Sequence, residues 1–260
     1  MQNSLQGLNI LVTRPKGLCE NLCQKIIAVG AIPHVLPLIE ISPASNQAEF
    51  KKAIMQLAMM SYIIFISRTA VRFSLPIIKE YWPTLPTLHW FAIGAGTATE
   101  LQRWGVGPIF HPPFPPFNSE TLVEHPLLQN IKDKQIIIFR GNGGRDYLLN
   151  ILTARQACIT VTTAYERKAP DFLEEKFLQL KNKFNFNIMI VTSCEMLTYL
   201  MQYIKKCILH EVLRIPVVVV GARMKAYAHE LGFIYIVEST GADDEALLFA
   251  LTRGYQNIKN

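Results

Sequence analysis

Short aliphatic runs alternate along this chain with longer stretches in which apolar residues recur at helical spacing. Residues 8–13 read as a strand and residues 17–29 as a helix, closed by Gly30, a residue free to take positive φ. Residues 35–41 are strand-like, but Pro37 has no N–H to donate, which confines them to a sheet edge or a connecting ribbon. The uniformly apolar run 62–66 leads into a helix from about Thr69. Residues 89–93 lead through Gly94 and Gly96 into another, ending near Gly105. Five prolines and three phenylalanines crowd residues 108–117, which predicts an irregular loop there. The cycle restarts at residues 135–139. Alternation of this kind predicts an α/β fold, and strands apolar at every position predict parallel sheets covered on both faces.

The restart follows a fixed spacing. Ile10-Leu-Val-Thr-Arg14 resembles Ile136-Ile-Ile-Phe-Arg140, Leu38-Ile-Glu40 resembles Ala164-Tyr-Glu166, and Ile63-Ile-Phe-Ile-Ser67 resembles Met189-Ile-Val-Thr-Ser193, each pair 126 residues apart. Phe91-Ala-Ile-Gly94 and Val218-Val-Val-Gly221 follow at 127. Four matches in order predict a duplication: two similar parallel-sheet α/β domains, with a ligand cleft between them. Ligands of such sheets bind at the carboxyl ends of the strands. There the chain carries Thr13-Arg-Pro15, Ser67-Arg-Thr69, Gly94-Ala-Gly-Thr97, Arg140 to Arg145, Thr192-Ser193 and Gly221-Ala-Arg223. Groups of this kind at helix starts favour an anion.

Composition sharpens that expectation. The chain has 260 residues, enough for two domains, and with 50% hydrophobic and 18% charged residues it is not a disordered sequence. Its net charge of +6 and pI near 9.0 point to an anionic partner. No run of five or six like charges forms a basic tail, so a DNA-binding reading rests on pI alone. Mean hydropathy is +0.20, yet no apolar run reaches even half the roughly 20 residues of a membrane span. Residues 1–9 lack the basic and apolar regions of a secretory signal. Cys19, Cys23, Cys158, Cys194 and Cys207 form no Cys-x-x-Cys pair, as expected of a reduced, cytoplasmic protein.

Few motifs carry chemistry unaided. Arg140-Gly-Asn-Gly-Gly-Arg145 combines close backbone approach at glycines such as Gly143 with two arginines able to pair with carboxylates; a plain glycine-rich turn reads equally well. It is neither a P-loop nor a dinucleotide fingerprint. Cys19 and Cys23 share a helix face but have no partners for a metal, so a core role is expected. The six histidines show no ligand spacing, and no Gly-x-Ser-x-Gly elbow occurs. Residues 55–60, rich in Met, suit a helix packed on a sheet.

Taken together, the motifs resemble the uroporphyrinogen-III synthase family. Leu11-Val-Thr-Arg-Pro15, Leu36-Pro-Leu-Ile-Glu-Ile41, Ile93-Gly-Ala-Gly-Thr-Ala98, Ser119-Glu-Thr-Leu122, Arg140-Gly-Asn-Gly-Gly-Arg145, Ala164-Tyr-Glu-Arg167, Val191-Thr-Ser193, Val220-Gly221 and Glu230-Leu-Gly-Phe233 carry the likeness in order. Met224 stands where the family usually has Thr, and Gln156 where Gly is usual. The resemblance implies one domain of residues 1–33 and 169–260, a second of 42–158, and a two-stranded ladder of 34–41 with 159–168. It implies cyclisation of hydroxymethylbilane to uroporphyrinogen III, with loss of water and inversion of the last pyrrole ring, in tetrapyrrole (haem, sirohaem, cobalamin) biosynthesis. No metal or organic cofactor, nucleic acid or membrane is expected. A monomer is, with transient contact to the hydroxymethylbilane synthase that supplies the substrate as a further expectation. Tyr165 would assist the departing hydroxyl. Arg14, Ser67, Thr97, Ser119, Arg140, Gly143, Arg145, Thr192 and Ser193 would hold the substrate's carboxylates. The alternative is a non-catalytic anion- or tetrapyrrole-binding protein, or a degenerate homologue, favoured only by Met224.

Overall fold

The computed structural model describes residues 5–144, 146–171, 173–204 and 206–259. Along the chain run β1 (Asn9–Val12), α1 (Glu20–Ala28), β2 (Ile32–Val35), β3 (Glu40–Pro43), α2 (Gln47–Met55), β4 (Tyr62–Phe65), α3 (Arg68–Tyr81), β5 (His89–Ala92), α4 (Ala95–Arg103), β6 (Ile109–Phe110) and α5 (Ser119–Leu122). They are followed by β7 (Gln135–Gly141), α6 (Tyr147–Ala154), β8 (Cys158–Lys168), α7 (Leu173–Phe184), β9 (Ile188–Ile190), α8 (Cys194–Tyr203), α9 (Lys206–Val212), β10 (Val217–Val220), α10 (Gly221–Glu230), β11 (Ile236–Ser239) and α11 (Asp244–Lys259).

Two compact units result. The first joins Met1–Glu40 to Lys168–Asn260, and the second is Ile41–Arg167. The first holds a five-stranded parallel sheet in the order β11-β10-β9-β1-β2, and the second a six-stranded sheet in the order β3-β8-β7-β4-β5-β6, parallel from β8 to β6. β3 lies beside β8, and β8 pairs with β7 from Cys158 to Tyr165, so these strands continue the second sheet.

In the second unit the period of two in a strand sorts side chains to opposite faces. Ile63, Phe65, Ile137 and Phe139 join one core cluster with residues of α2, α3 and α4. Tyr62, Ile64, Ile136 and Ile138 join another with Leu122, Leu148 and Leu152. In the first unit Ile10, Val12, Ile188, Ile190 and Val218 pack with Leu22 and Ile26 of α1 and Leu247 and Leu251 of α11. Each such aliphatic side chain taken from water contributes roughly 1.5–3 kcal/mol.

The duplication extends to the pairing register. Adding 126 or 127 carries Ile63↔Trp90 to Met189↔Val217, and Trp90↔Ile109 to Val217↔Ile236. Asn9↔Ile32 becomes Gln135↔Cys158, and the β1–β9 register reproduces β7–β4. Each unit therefore takes β-α-β from one repeat and three matching strands from the other, to which the second unit adds β3. Gly30, at φ +82° after α1, corresponds to Gln156, at φ +61° after α6.

Three elements depart from the sequence reading. α1 starts at Glu20 and not at residue 17, because Gly17 has φ +83° and the Glu20 carboxylate accepts the N–H groups of Gly17 (2.8 Å) and Cys19 (3.1 Å). Residues 35–41 are not one strand. β2 ends at Val35 and β3 begins at Glu40, while Leu36 and Leu38, flanking Pro37, donate to the carbonyls of Val12 and Thr13. The proline-rich loop contains β6, since Ile109 and Phe110 keep the N–H groups that its prolines lack.

Candidate active site

The second unit gathers chemistry where β4, β5, β7 and β8 end. Between β7 and β8 the register slips, with Arg140 opposite Thr163 but Gly141 opposite Tyr165. Such an irregularity re-aims side chains, and here it brings consecutive Ala164 and Tyr165 into one core cluster, which a regular pleat would not do. Tyr165 is 7% exposed, with its ring 5.9 Å from that of Phe73. Its hydroxyl lies 3.3 Å from Ser67 Oγ. Gly141 lies against the phenol: a Cβ there would fall 2.6 Å from Cζ and 3.0 Å from the hydroxyl oxygen.

Ser67 follows β4 and caps α3, its Oγ accepting the Ala70 N–H at 3.0 Å. The neighbouring α4 starts from Gly94, which has no side chain with which to cap it. Phe117 occupies the space a Cβ of Gly94 would need, the nearest ring-bearing carbon being 2.4 Å from that position. The exposed Arg68 runs past Gly96. Thr97, in the first turn of α4, is 5% exposed. Ser119 opens α5 beside its cap Asn118, and it lines a small hollow with Arg140, Ile66 and Val161.

Two of the loop arginines are held by the protein's own groups. Arg140 donates to Asp146 Oδ1 at 2.8 Å and to the carbonyls of Gly143 and Gly144, the latter at 3.2 Å. Gly143, at φ +72°, thus serves the loop through its carbonyl. In the first unit Arg14 donates to Asp244 Oδ1 at 2.6 Å and to the Ala242 carbonyl. Both side chains are little exposed, 12% and 13%. They brace loops at the two equivalent strand ends. Arg145 lies outside the described residues.

Also in the first unit, Ser193 caps α8 by accepting the Met196 N–H at 3.2 Å, and Thr192 Oγ1 is 3.7 Å from Met196 Sδ. The offset pairs Ser193 with Ser67, buried Met224 with Thr97, and buried Ile39 with Tyr165. The serine caps and loop arginines are doubled; the tyrosine is not. Cys19 and Cys23 remain core thiols, and burial pushes Cys23 up to about 11, far from nucleophilic at neutral pH. Among the described residues no three His, Cys, Asp or Glu side chains converge as metal ligands. Nor is any helix there long and apolar enough to cross a membrane.

Phe73 and Phe117 escaped the sequence reading as site residues, and Arg68 and Gly141 lay within strand-end segments without being singled out. Gly141 lay inside the glycine motif, but its place beneath the phenol depends on the register slip, which leaves no mark in the sequence.

Two parallel α/β units of common ancestry, one carrying a tyrosine among hydroxyl groups at its strand ends, define a class of two-domain α/β enzymes. The family model described as uroporphyrinogen-III synthase HemD matches residues 20–248. The chain belongs to the uroporphyrinogen-III synthase family of cyclising lyases. It is 34% identical over 248 residues to the uroporphyrinogen-III synthase of Escherichia coli K12, covering 94% of this chain and 100% of that one. The Salmonella typhimurium LT2 synthase is 32% identical over 251 residues, with the same coverage. Two solved uroporphyrinogen III synthases share the fold. A mutant of the Thermus thermophilus enzyme has TM-score 0.64 at 16% identity, covering 96% of this chain and 100% of that one. The Helicobacter pylori 26695 enzyme has TM-score 0.61 at 16% identity, covering 95% and 99%.

Proposed function

We propose that the chain closes hydroxymethylbilane, a linear tetrapyrrole, to uroporphyrinogen III, and that Tyr165 assists loss of the hydroxyl. The phenol O–H donates to the departing oxygen, which leaves as water. The substituted position of the last ring then attacks the released methylene to give a spirocycle; the older methylene bond at that carbon breaks, the freed methylene is captured at the ring's unsubstituted position, and the proton lost there restores the phenol. The open cation can also close unaided without inversion, so holding the chain matters more than acid strength. Hydroxyls of Thr97 and Ser119, with Thr192 and Ser193 in the other unit, are suited to the acetate and propionate arms. The net charge of +6 favours so anionic a substrate. Arg14 and Arg140 act indirectly, by bracing loops.

The observation that carries this reading is the lone tyrosine. In an otherwise doubled framework Tyr165 has a buried Ile39 as its counterpart, while its own ring is fitted between Gly141 and Ser67. Cys19, Cys23, Cys158 and Cys194 are free thiols, in keeping with work in a reducing cytoplasm. A binding-only homologue is the second reading. It rests on Met224, which puts a thioether where the other unit has the Thr97 hydroxyl.

Freshly made hydroxymethylbilane tests both, with product isomers separated after subtraction of spontaneous type I closure. The expected result is type III product, with Tyr165→Phe slower by up to about 100-fold, the low end of general acid assistance. Protein that yields only type I product supports the second reading. A Tyr165→Phe rate within about twofold of the unchanged protein removes the tyrosine from the acid role.

A further inference from the structure

We infer that Ser67 is a positioning residue: it receives the Ala70 N–H and gives its own hydrogen to Tyr165, leaving the phenolic hydrogen free to face outward. This rests on the reading of Tyr165 as donor, and it takes Ser67 from the set of carboxylate ligands.

Ser67 Oγ accepts the Ala70 N–H at 3.0 Å and lies 3.3 Å from the Tyr165 hydroxyl. Two hydroxyls can bond in either sense. If Tyr165 donated, its hydrogen would be spent inside the protein and lost to substrate. The N-terminal turn of α3 selects the other sense. Its unpaired N–H groups form the positive end of the helix dipole, which repels the serine hydrogen and directs it away from the helix. A hydroxyl that accepts an N–H bond also becomes a better donor through mutual polarisation.

The contact is longer than the roughly 2.7–2.8 Å usual for O–H···O, which leaves it slack in the resting site. As the phenol releases its proton, the oxygen left behind gains negative charge, and bonds to charged oxygens shorten and strengthen. Ser67 thus stabilises the state in which proton transfer has occurred. Gly141 completes the arrangement, since its missing Cβ leaves room for the phenol against the end of β7.

The duplication separates this role from capping. Ser193 caps α8 in the same way, at 3.2 Å, yet the position matching Tyr165 there is Ile39. Helix capping therefore accounts for a serine at both places, and the hydroxyl pair is an addition made in one unit only.

A double-mutant cycle on turnover of hydroxymethylbilane tests the inference, with thermal unfolding of every variant. Ser67→Ala should lower kcat by about 3–10-fold with KM little changed, a modest share of the general-acid range. In the Tyr165→Phe background the same substitution should cost no further rate. Ser67→Thr, which keeps both cap and hydroxyl, should recover most of it. Ser67→Gly, tolerated at helix caps, should reproduce the loss should Ser67→Ala fold poorly. An equal loss from Ser67→Ala with and without the Tyr165 hydroxyl would make Ser67 a structural cap and overturn the inference alone. A fully active Tyr165→Phe overturns the inference together with the reading beneath it.

Discussion

Adding one methyl group at Gly141 probes the placement of the tyrosine without touching the tyrosine. Gly141 lies outside the left-handed region, so its backbone accepts alanine without strain. The new Cβ would stand 2.6 Å from Tyr165 Cζ, 2.8 Å from Cε2 and 3.0 Å from the hydroxyl oxygen. Carbon atoms rest at about 3.5–4.0 Å, so the ring must withdraw by about 1 Å. It is packed among Phe73, Phe139 and Ala164, and overpacking of such a site costs about 1–3 kcal/mol, a fall in Tm of several degrees. A misplacement of about 1 Å can reduce a rate by roughly 10². The loss has a ceiling, because displacing the hydroxyl can do no more harm than deleting it. Gly141→Ala should therefore have a kcat between those of the unchanged protein and Tyr165→Phe, and the double variant should match Tyr165→Phe. Initial rates of type III formation, measured well below each variant's Tm, check this. Gly141→Ala with a lowered Tm and an unchanged rate would refute the reasoning, since the ring would have moved without consequence. A rate far below that of Tyr165→Phe would do so as well, by placing the methyl against something other than the phenol.

Gln156→Gly should raise stability by about 0.5–1 kcal/mol, because relief of a left-handed L-residue (about 1–2 kcal/mol) exceeds the extra chain entropy of glycine. A Tm that fails to rise in differential scanning calorimetry would contradict it. Stability should also fall on mild acidification. Burial holds His34 and His125 below their ordinary 6.5, with Lys183 adding to the effect at His34, so the unfolded chain binds their protons more readily. Their contribution is complete above pH about 6.5 and is lost as pH falls through that value toward the folded-state pKa values. Glu100, held below 4.5 chiefly by its bond from Arg72, stays ionised throughout that window. Urea midpoints at about pH 7.5 and 5.5 should differ, and by less in a His34→Asn/His125→Gln variant.

The periodicity of the chain carried the strands, their parallel order and the repeat, because burial on both faces writes aliphatic runs that survive duplication. The loop arginines were legible as residues, but the groups that hold them were not. Arg140 finds Asp146 only six residues away, yet Arg14 finds Asp244 across 230 residues, a partner that spacing cannot reveal. The Ser67–Tyr165 pair spans 98 residues and depends on a slip of register between β7 and β8. β6 was masked by the prolines on either side of it. A side chain's type survives in sequence, whereas its partner is decided by packing.

The crossing of the two repeats bears on the order in which the chain can fold as it leaves the ribosome. The second unit is complete once residue 167 has emerged. β1 and β2 emerge before it, yet β9, the neighbour that covers the other side of β1, begins only at Ile188. During synthesis the earliest strands stand as an unfinished sheet in which the edge of β1 that β9 will cover is still open, while a whole domain forms after them. Bringing β1 to β9 then closes a loop of more than 170 residues. That step comes late and slowly, as long-range parallel pairing does. Chaperones that shield exposed strand edges have their natural opportunity at this protein's amino-terminal β-α-β segment, for the whole interval between its appearance and the arrival of its partners.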